Sequence, residues 1–152
     1  MKVLFVCTGN TCRSCMAEAM FNKLSTFEEV EAFSAGISVV HGSRTSKHTA
    51  NLISSNFDLD ISERSSVQLT EDMIEDSDLI LTMTGYMRDL LKNHFNSEKE
   101  KIYTINEFVE LQGDIMDPYG GDINIYEATF NMLRKSIELL LVKLKEDRGK
   151  TY

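Results

Sequence analysis

The first residues of the chain contain the pattern that most restricts its fold. Lys2–Cys7 reads KVLFVC, an apolar and β-branched run without alternation of apolar and polar side chains. Such a run is typical of a central strand that is buried on both faces of a parallel sheet. The turn residues Thr8–Thr11 follow, and apolar residues spaced by three and four then predict a helix from about Arg13 to Leu24. The chain therefore begins with a strand, a loop and a helix.

The same alternation of strands and helices continues along the chain. Further strands are predicted over Val30–Ala35, Asp78–Thr82 and Lys101–Ile105. Helices are predicted over Thr45–Phe57, over Glu71–Asp76 with Thr70 as N-cap, after a Thr84 cap with Met87, Leu90, Leu91 and Phe95 on one face, and from Asp122 to a charged tail. This order indicates an α/β fold in which a parallel sheet has helices on both faces. No repeat or linker divides the chain, so one domain over residues 1–152 is expected.

Composition and charge restrict the partners. The 152 residues carry a formal net charge of -8, which is unfavourable for a broad contact with nucleic acid or anionic lipid. The longest apolar runs are far shorter than the roughly 20 residues that cross a bilayer, and no signal-peptide pattern is present. All three cysteines, Cys7, Cys12 and Cys15, lie within nine residues and form no disulfide framework. We therefore expect a cytoplasmic protein that binds neither nucleic acid nor membrane.

The loop after the first strand has the residues of a phosphate site. Positions 7–14 read CTGNTCRS, in which Cys7 and Arg13 are separated by five residues. A loop that leaves a strand and enters a helix can surround one phosphate with backbone N–H groups at the helix N-terminus. The Arg13 guanidinium can bind two phosphoryl oxygens, and the same positive field favours a nucleophilic thiolate at Cys7. The predicted phosphate-binding residues are Thr8, Gly9, Asn10, Thr11, Cys12, Arg13 and Ser14, and Ser14 can also donate a hydrogen bond to the thiolate.

Transfer of a phosphoryl group to a thiolate also requires a proton donor for the leaving group. Asp117 lies in the segment MDPYGG at 116–121, where the only proline and two glycines shape a loop before the last helix. Asp117 is the candidate general acid, and Tyr119 is a candidate wall of the substrate pocket. Without the loop of residues 7–14, called the cysteine loop below, the segment would be interpreted as an ordinary turn with a solvated carboxylate.

The cysteines could also have roles other than catalysis. A metal site lacks a fourth ligand at suitable spacing, so no metal and no other cofactor is expected. Cys7 could also be an ordinary buried thiol that ends a core strand. A redox role is the stronger alternative, because Cys12 could capture an oxidised Cys7 as a reversible disulfide.

The motifs together resemble the low-molecular-weight protein tyrosine phosphatase family over nearly the whole chain. The resemblance rests on VCTGNTCRS at 6–14, MAEAM at 16–20, SAG at 34–36, LTMT at 81–84 and MDPYGG at 116–121. It implies a Rossmann-like three-layer sandwich with a four-stranded parallel sheet, and a metal-independent reaction through a phosphocysteine intermediate. By resemblance, Cys7 is the nucleophile, Arg13 binds the phosphate, and Asp117 is the general acid and later the base. Asn10, Ser14 and Ser34 are the implied loop support.

Thr11 makes the chain more similar to the bacterial protein arginine phosphatase branch, because tyrosine-specific members commonly have a bulkier aliphatic residue there. Thr11 and Tyr119 are therefore the candidate selectivity residues, and phosphorylated proteins are the expected substrates. Phosphotyrosine is the alternative substrate, an arsenate reductase would need further cysteines downstream, and a non-catalytic oxidant sensor or binder would not need Asp117. The resemblance also favours a monomer.

Two positions depart from the family pattern. Cys15 stands where the family usually has proline, and a helix N-terminus is expected to lower the pKa of a thiol there, which would allow a second disulfide. Arg64 lies near the place where many relatives have a histidine that hydrogen-bonds the loop asparagine.

Overall fold

Four parallel strands form the centre of the computed structural model, which describes residues 1–149. The strands are β1 (Lys2–Cys7), β2 (Glu31–Gly36), β3 (Leu79–Thr82) and β4 (Ile102–Thr104), arranged in the order β2-β1-β3-β4. β1 pairs on both sides, with Val3 opposite Ala32 of β2 and Leu79 of β3. Its central position explains its unbroken apolar sequence, since both of its faces are covered.

Helices cover both faces of this sheet. They are α1 (Arg13–Leu24), α2 (Lys47–Phe57), α3 (Glu71–Asp76), α4 (Gly85–His94), α5 (Ile105–Phe108) and α6 (Ile123–Gly149), with a 3₁₀ helix over Asn96–Lys101. Val3 and Phe5 of β1 face a core formed with α1, α2 and α6. Leu4 and Val6 face the opposite side, where α3 and α4 contribute buried side chains. The predicted three-layer α/β sandwich with a four-stranded parallel sheet is confirmed.

Side-chain caps begin most of the helices. The hydroxyl oxygens of Ser46, Thr70, Thr84 and Thr104 accept hydrogen bonds from the third backbone N–H of α2, α3, α4 and α5, respectively. Such caps satisfy backbone donors that have no partner inside the helix. The predicted caps at Thr70 and Thr84 are confirmed.

Several element bounds differ from the sequence prediction. β2 begins and ends one residue later than Val30–Ala35, and β3 omits Asp78. The predicted helix from Thr45 begins only at Lys47, because the Thr45 N–H donates to the Arg64 carbonyl and Arg44 forms a bridge with Ser65.

The region around β4 shows the largest difference. The strand predicted over Lys101–Ile105 is shorter at both ends, since Lys101 closes the 3₁₀ helix and Ile105 begins α5, neither of which was predicted. A capping box between Thr104 and Glu107 causes the change from strand to helix. On α4, Leu90 is wrongly predicted on the buried face, and its side chain is exposed.

Two connections at the carboxyl edge of the sheet determine where the loops meet. The loop over residues 8–12 joins the end of β1 directly to α1. Farther along the chain, the Ile115 N–H donates to the Met83 carbonyl just beyond β3, which fixes the segment that contains Asp117 at the same edge.

The last three residues of the predicted tail and domain lie outside the described residues. Within residues 1–149, no helix has the length and apolar character needed to cross a membrane.

Candidate active site

Cys7 ends β1 and has its sulfur among hydrogen-bond donors. The Sγ atom lies 2.8 Å from the Ser14 hydroxyl oxygen and accepts a hydrogen bond of 3.3 Å from the Asn10 N–H. The side chain is almost fully buried, yet it lines a cavity at the edge of the sheet. The Ser14 hydroxyl and the Asn10 N–H therefore converge on this sulfur from inside the loop.

Asn10 holds the loop from the inside. It has a left-handed backbone conformation with φ of 56°, which asparagine tolerates better than most residues. Its side-chain NH₂ donates to the hydroxyl oxygens of Ser14 at 2.7 Å and Ser34 at 3.0 Å. The structure thus joins the three predicted loop-support residues, Asn10, Ser14 and Ser34, in one hydrogen-bonded group.

The N-terminus of α1 has no side-chain cap. Cys12 precedes the helix without a side-chain cap, whereas α2 to α5 all have one among the residues described. The first turn contains Arg13 and no acidic residue. Uncapped N–H groups together with the helix dipole form a site for an anion.

Arg13 and Asp117 approach each other from different segments. The Arg13 side chain is only 5% exposed and donates to the Ile115 carbonyl at 3.1 Å. The second terminal nitrogen of Arg13, Nη2, lies 3.7 Å from an Asp117 carboxylate oxygen, and the Asp117 side chain is 55% exposed. The second Asp117 oxygen accepts the Tyr119 N–H at 3.0 Å. The carboxylate is therefore oriented by its own loop while it remains accessible.

A cavity of about 500 Å³ opens over the cysteine loop. It is lined by Cys7, Thr8, Gly9, Thr11, Cys12, Arg13, Val40, Ser43, Asp117 and Tyr119. Tyr119 is 83% exposed and Val40 is 74% exposed, so both stand at the rim. Asn10 and Ser14 are fully buried and lie behind the loop.

The two other thiols have different surroundings. Cys12 lies 3.4 Å from the Ser46 hydroxyl and 3.5 Å from the Tyr126 hydroxyl. Burial, together with the hydrogen bond to Cys12, raises the pKa of Tyr126 to about 12, so this hydroxyl is protonated at neutral pH. All three cysteines are free thiols in the structure, and the predicted disulfide between Cys7 and Cys12 stays a prediction.

For Cys15 the expectation of a lowered pKa is wrong. Its thiol is fully buried and donates to the Cys12 carbonyl. Burial, with a smaller contribution from nearby Cys7, raises the pKa of Cys15 well above its ordinary value. The helix N-terminus does not compensate for this loss of solvent, so a second disulfide through Cys15 is disfavoured.

Five residues that contribute to the site have no site role in the sequence prediction. Gly36 passes so close to the loop that a Cβ atom would lie 2.6 Å from the Thr8 carbonyl. Ile115 supplies the carbonyl that binds Arg13, and Val40 forms part of the cavity rim. Glu18 and Arg64 contact the loop-support residues from outside. Three of them had a signal in the sequence: Gly36 lies within the SAG motif, Glu18 lies within the MAEAM motif, and Arg64 is a departure from the family.

Among residues 1–149, no three His, Cys, Asp or Glu side chains converge in a way that could hold a metal ion.

Comparison with known proteins decides the family. Residues 2–150 match the family described as low molecular weight phosphotyrosine protein phosphatase. The chain belongs to this family. It is 38% identical to a protein-arginine-phosphatase of Bacillus subtilis, over 97% of this chain and 99% of that protein. It is 34% identical to the low molecular weight protein-tyrosine-phosphatase PtpB of Staphylococcus epidermidis, over 94% of this chain and 99% of that protein.

A solved structure extends the likeness to the family fold. The chain matches a mutant of YwlE arginine phosphatase, whose active-site cysteine is replaced by a phosphorylated serine, with a TM-score of 0.90 and 34% identity. The match covers 98% of this chain and 99% of that one. Family membership and fold are thus established by sequence and by structure separately.

Proposed function

We propose that the chain is a metal-independent protein phosphatase that hydrolyses phosphoarginine through a phosphocysteine intermediate. The observation that carries this proposal is the uncapped N-terminus of α1 beside the Cys7 sulfur, in a cavity that Arg13 and Asp117 also line. An anion-binding helix end, a nucleophile and a carboxylic acid are the groups that phosphoryl transfer to sulfur requires.

In the first step, the Cys7 thiolate attacks phosphorus and forms the sulfur–phosphorus bond. The bond from phosphorus to the leaving guanidine nitrogen breaks, and that nitrogen takes a proton from Asp117. Arg13 and the N–H groups of the loop hold the phosphoryl oxygens while charge redistributes in the transition state. The distance of 3.7 Å between Arg13 and Asp117 supports this arrangement, because it brings the proton donor beside the phosphate-binding cation.

In the second step, water attacks the phosphocysteine. Asp117, now a carboxylate, accepts a proton from the water, phosphate leaves, and the Cys7 thiolate is restored. The Ser14 hydroxyl lies 2.8 Å from the sulfur and stabilises the departing thiolate.

Two features favour phosphoarginine as the substrate. Thr11 lines the cavity, and its small polar side chain leaves room for a branched guanidinium group. Once Asp117 has given up its proton, its half-exposed carboxylate can pair with the product guanidinium as well as with Arg13. Likeness to arginine phosphatases over nearly the whole chain supports the same choice.

Phosphotyrosine is the second candidate. The exposed Tyr119 ring at the cavity rim can pack against an aromatic substrate side chain, and the chain is also similar to PtpB.

The deciding experiment is kcat/KM on matched phosphoarginine and phosphotyrosine peptides, with reductant present and Cys7→Ser as the blank. We expect a large preference for phosphoarginine, and Thr11→Ile should shift the ratio toward phosphotyrosine by filling the space beside the phosphate. The reverse preference in the wild type would reassign the substrate, and turnover by the blank would exclude the covalent route.

Asp117→Asn tests the proton donor. Asparagine keeps the shape but cannot donate the proton, so kcat should fall by roughly a hundredfold or more. Asp114→Asn is the matched control in the same loop, because Asp114 only accepts the Gly85 N–H there. Equal activity of the two variants would remove Asp117 from the mechanism.

We further infer a cytoplasmic monomer that acts on phosphorylated proteins. The three free thiols support a reducing compartment, and the open cavity supports a protein substrate that presents a side chain.

A further inference from the structure

An ion pair between Glu18 and Arg64 stands behind the cysteine loop, away from the cavity. Arg64 Nη2 lies 3.3 Å from Glu18 Oε1, and both side chains are mostly buried. Arg64 also donates to the Asn10 amide oxygen at 2.9 Å and to the Ser34 hydroxyl oxygen at 2.7 Å. Neither member of the pair lines the cavity, so neither has a part in the chemistry proposed above.

The pair determines which way the Asn10 amide points. The amide oxygen faces Arg64 and the Val67 N–H, which lies 2.9 Å away. Both of these groups can only donate, so the acceptor end of Asn10 must face them. The NH₂ end is consequently directed at the hydroxyl oxygens of Ser14 and Ser34.

Glu18 closes the other end of this chain of hydrogen bonds. The Ser34 oxygen already accepts from Asn10 and from Arg64, so the Ser34 proton goes to the Glu18 carboxylate at 2.9 Å. A carboxylate can only accept, which fixes the direction of the hydroxyl.

The consequence reaches the nucleophile in two ways. Ser14 accepts the Asn10 NH₂, so the Ser14 proton is free to point at the Cys7 sulfur 2.8 Å away. The left-handed backbone of Asn10, which this network holds, also aims the Asn10 N–H at the same sulfur. Arginine suits this place because it stays charged and never accepts a hydrogen bond.

We propose that Arg64, oriented by Glu18, is a positioning residue that fixes the Asn10 amide and thereby directs two hydrogen bonds onto the Cys7 sulfur. The inference rests on the proposed function for its effect on turnover, but its effect on the reactivity of Cys7 can be measured without turnover. A purely structural role of the ion pair would change the stability of the protein and leave Cys7 unaltered.

The test compares Arg64→Met, Arg64→Lys and Glu18→Gln with Arg44→Met. Arg44 is the matched control, because it lies on the neighbouring bridge with Ser65 and pairs with Glu63, but both side chains of that pair are exposed. The first readout is the rate at which iodoacetamide alkylates Cys7 at pH 7, located by fragment masses of the tryptic peptide and slowed by inorganic phosphate. The second is kcat and KM on the phosphopeptides, and the third is Tm.

In Arg64→Met, the alkylation rate and kcat should each fall about tenfold, as expected when a charge-assisted hydrogen bond is lost. KM should change by less than about threefold, because Arg64 does not touch the substrate. The alkylation rate and kcat of Arg64→Lys should lie between those of Arg64→Met and the wild type, because lysine keeps the charge but not the fork of donors. In Glu18→Gln, the alkylation rate and kcat should fall by a smaller factor, since Arg64 keeps its own hydrogen bonds but lacks its ionic partner.

An alkylation rate in Arg64→Met within about twofold of Arg44→Met overturns the proposal, even if Tm falls. Should Arg64→Met fail to fold, Arg64→Lys is judged by the same criterion. An unaltered rate in Glu18→Gln would remove Glu18 from the proposal. If the wild type cleaves neither peptide, the proposed function fails, and the alkylation rates alone still decide the role of Arg64.

Discussion

Gly36 illustrates how strongly the cysteine loop depends on the close approach of a single residue. It ends β2, where a Cβ atom would lie 2.6 Å from the Thr8 carbonyl oxygen and 3.0 Å from the Asn10 nitrogen. Both contacts are with backbone atoms of the loop, which cannot move aside as a flexible side chain can. Position 36 therefore requires glycine, because no side chain fits between β2 and the loop. The resulting close approach lets β2 support the loop.

Gly36→Ala should therefore displace the loop. We expect a loss of about 1–3 kcal/mol in the free energy of unfolding, the usual cost of an overpacked core. Activity should fall by about tenfold or more, because the Asn10 N–H would no longer reach Cys7. Urea denaturation and peptide kinetics measure the two effects. Gly85→Ala is the control, since the atom nearest to its Cβ belongs to the flexible end of the Arg88 side chain. Equal losses of stability and activity in the two variants would contradict a special requirement for glycine at position 36.

At the scale of secondary structure, α5 is a four-residue helix that depends on its cap. The Thr104 hydroxyl accepts the Glu107 N–H, and the Glu107 carboxylate accepts the Thr104 N–H at 2.8 Å and a hydrogen bond from Arg88. Burial alone would raise the pKa of Glu107, but the hydrogen bonds from Arg88 and Thr104 outweigh it and lower the pKa. Ionised Glu107 therefore stabilises the junction between β4 and α5.

This ionisation predicts a pH-dependent effect of Glu107→Gln. Because the folded pKa lies below the unfolded value of about 4.3, the contribution is fully present above that value and is lost as the pH falls through the folded pKa. The free energy of unfolding of Glu107→Gln should be lower than that of the wild type by about 1 kcal/mol at pH 7. The difference should shrink in acid, which urea denaturation at pH 7, 5, 4 and 3 measures. A difference that does not vary with pH would contradict this, and Glu63→Gln, in an exposed pair, is the control.

At the scale of the whole molecule, the two ends of the chain are packed together. β1 lies in the middle of the sheet, and α6 covers the same face of β1 as α1. The rings of Phe57 and Phe130, from α2 and α6, have centroids 6.0 Å apart in that core. Neither the first strand nor the last helix can leave without exposing the largest apolar cluster of the described residues.

The interlocked core predicts one cooperative unfolding transition, in agreement with the single domain expected over residues 1–152. For a chain of this length, the enthalpy of unfolding should be about 100 kcal/mol, and the calorimetric and van't Hoff values should agree. Differential scanning calorimetry with reductant present tests this. Two resolved transitions, or a van't Hoff enthalpy clearly below the calorimetric one, would mean that part of the chain unfolds independently.

Much of the protein follows from local sequence. The apolar run of β1, the spacing in α1 and the caps at Thr70 and Thr84 specify elements through forces that act within a few residues. The same holds for the loop of positions 7–14, because a strand end, a turn and a helix start are contiguous in the chain. Where local signals compete, they do not decide the outcome: Thr45 has a helical sequence context, but its N–H bonds to Arg64 instead.

The remainder depends on residues that are far apart in the chain and close in space. No sequence pattern indicates that Arg13 binds the Ile115 carbonyl, that Gly36 has no room for a side chain, or that Glu18 pairs with Arg64 behind Asn10. The pKa of Cys15 shows the same limit, since its helix position suggests activation and its burial reverses the direction. By itself the sequence determined the order of elements and the residues of the cysteine loop. Tertiary packing decided the solvation, orientation and hydrogen-bond direction of each group, because these depend on neighbours that only the folded chain brings together.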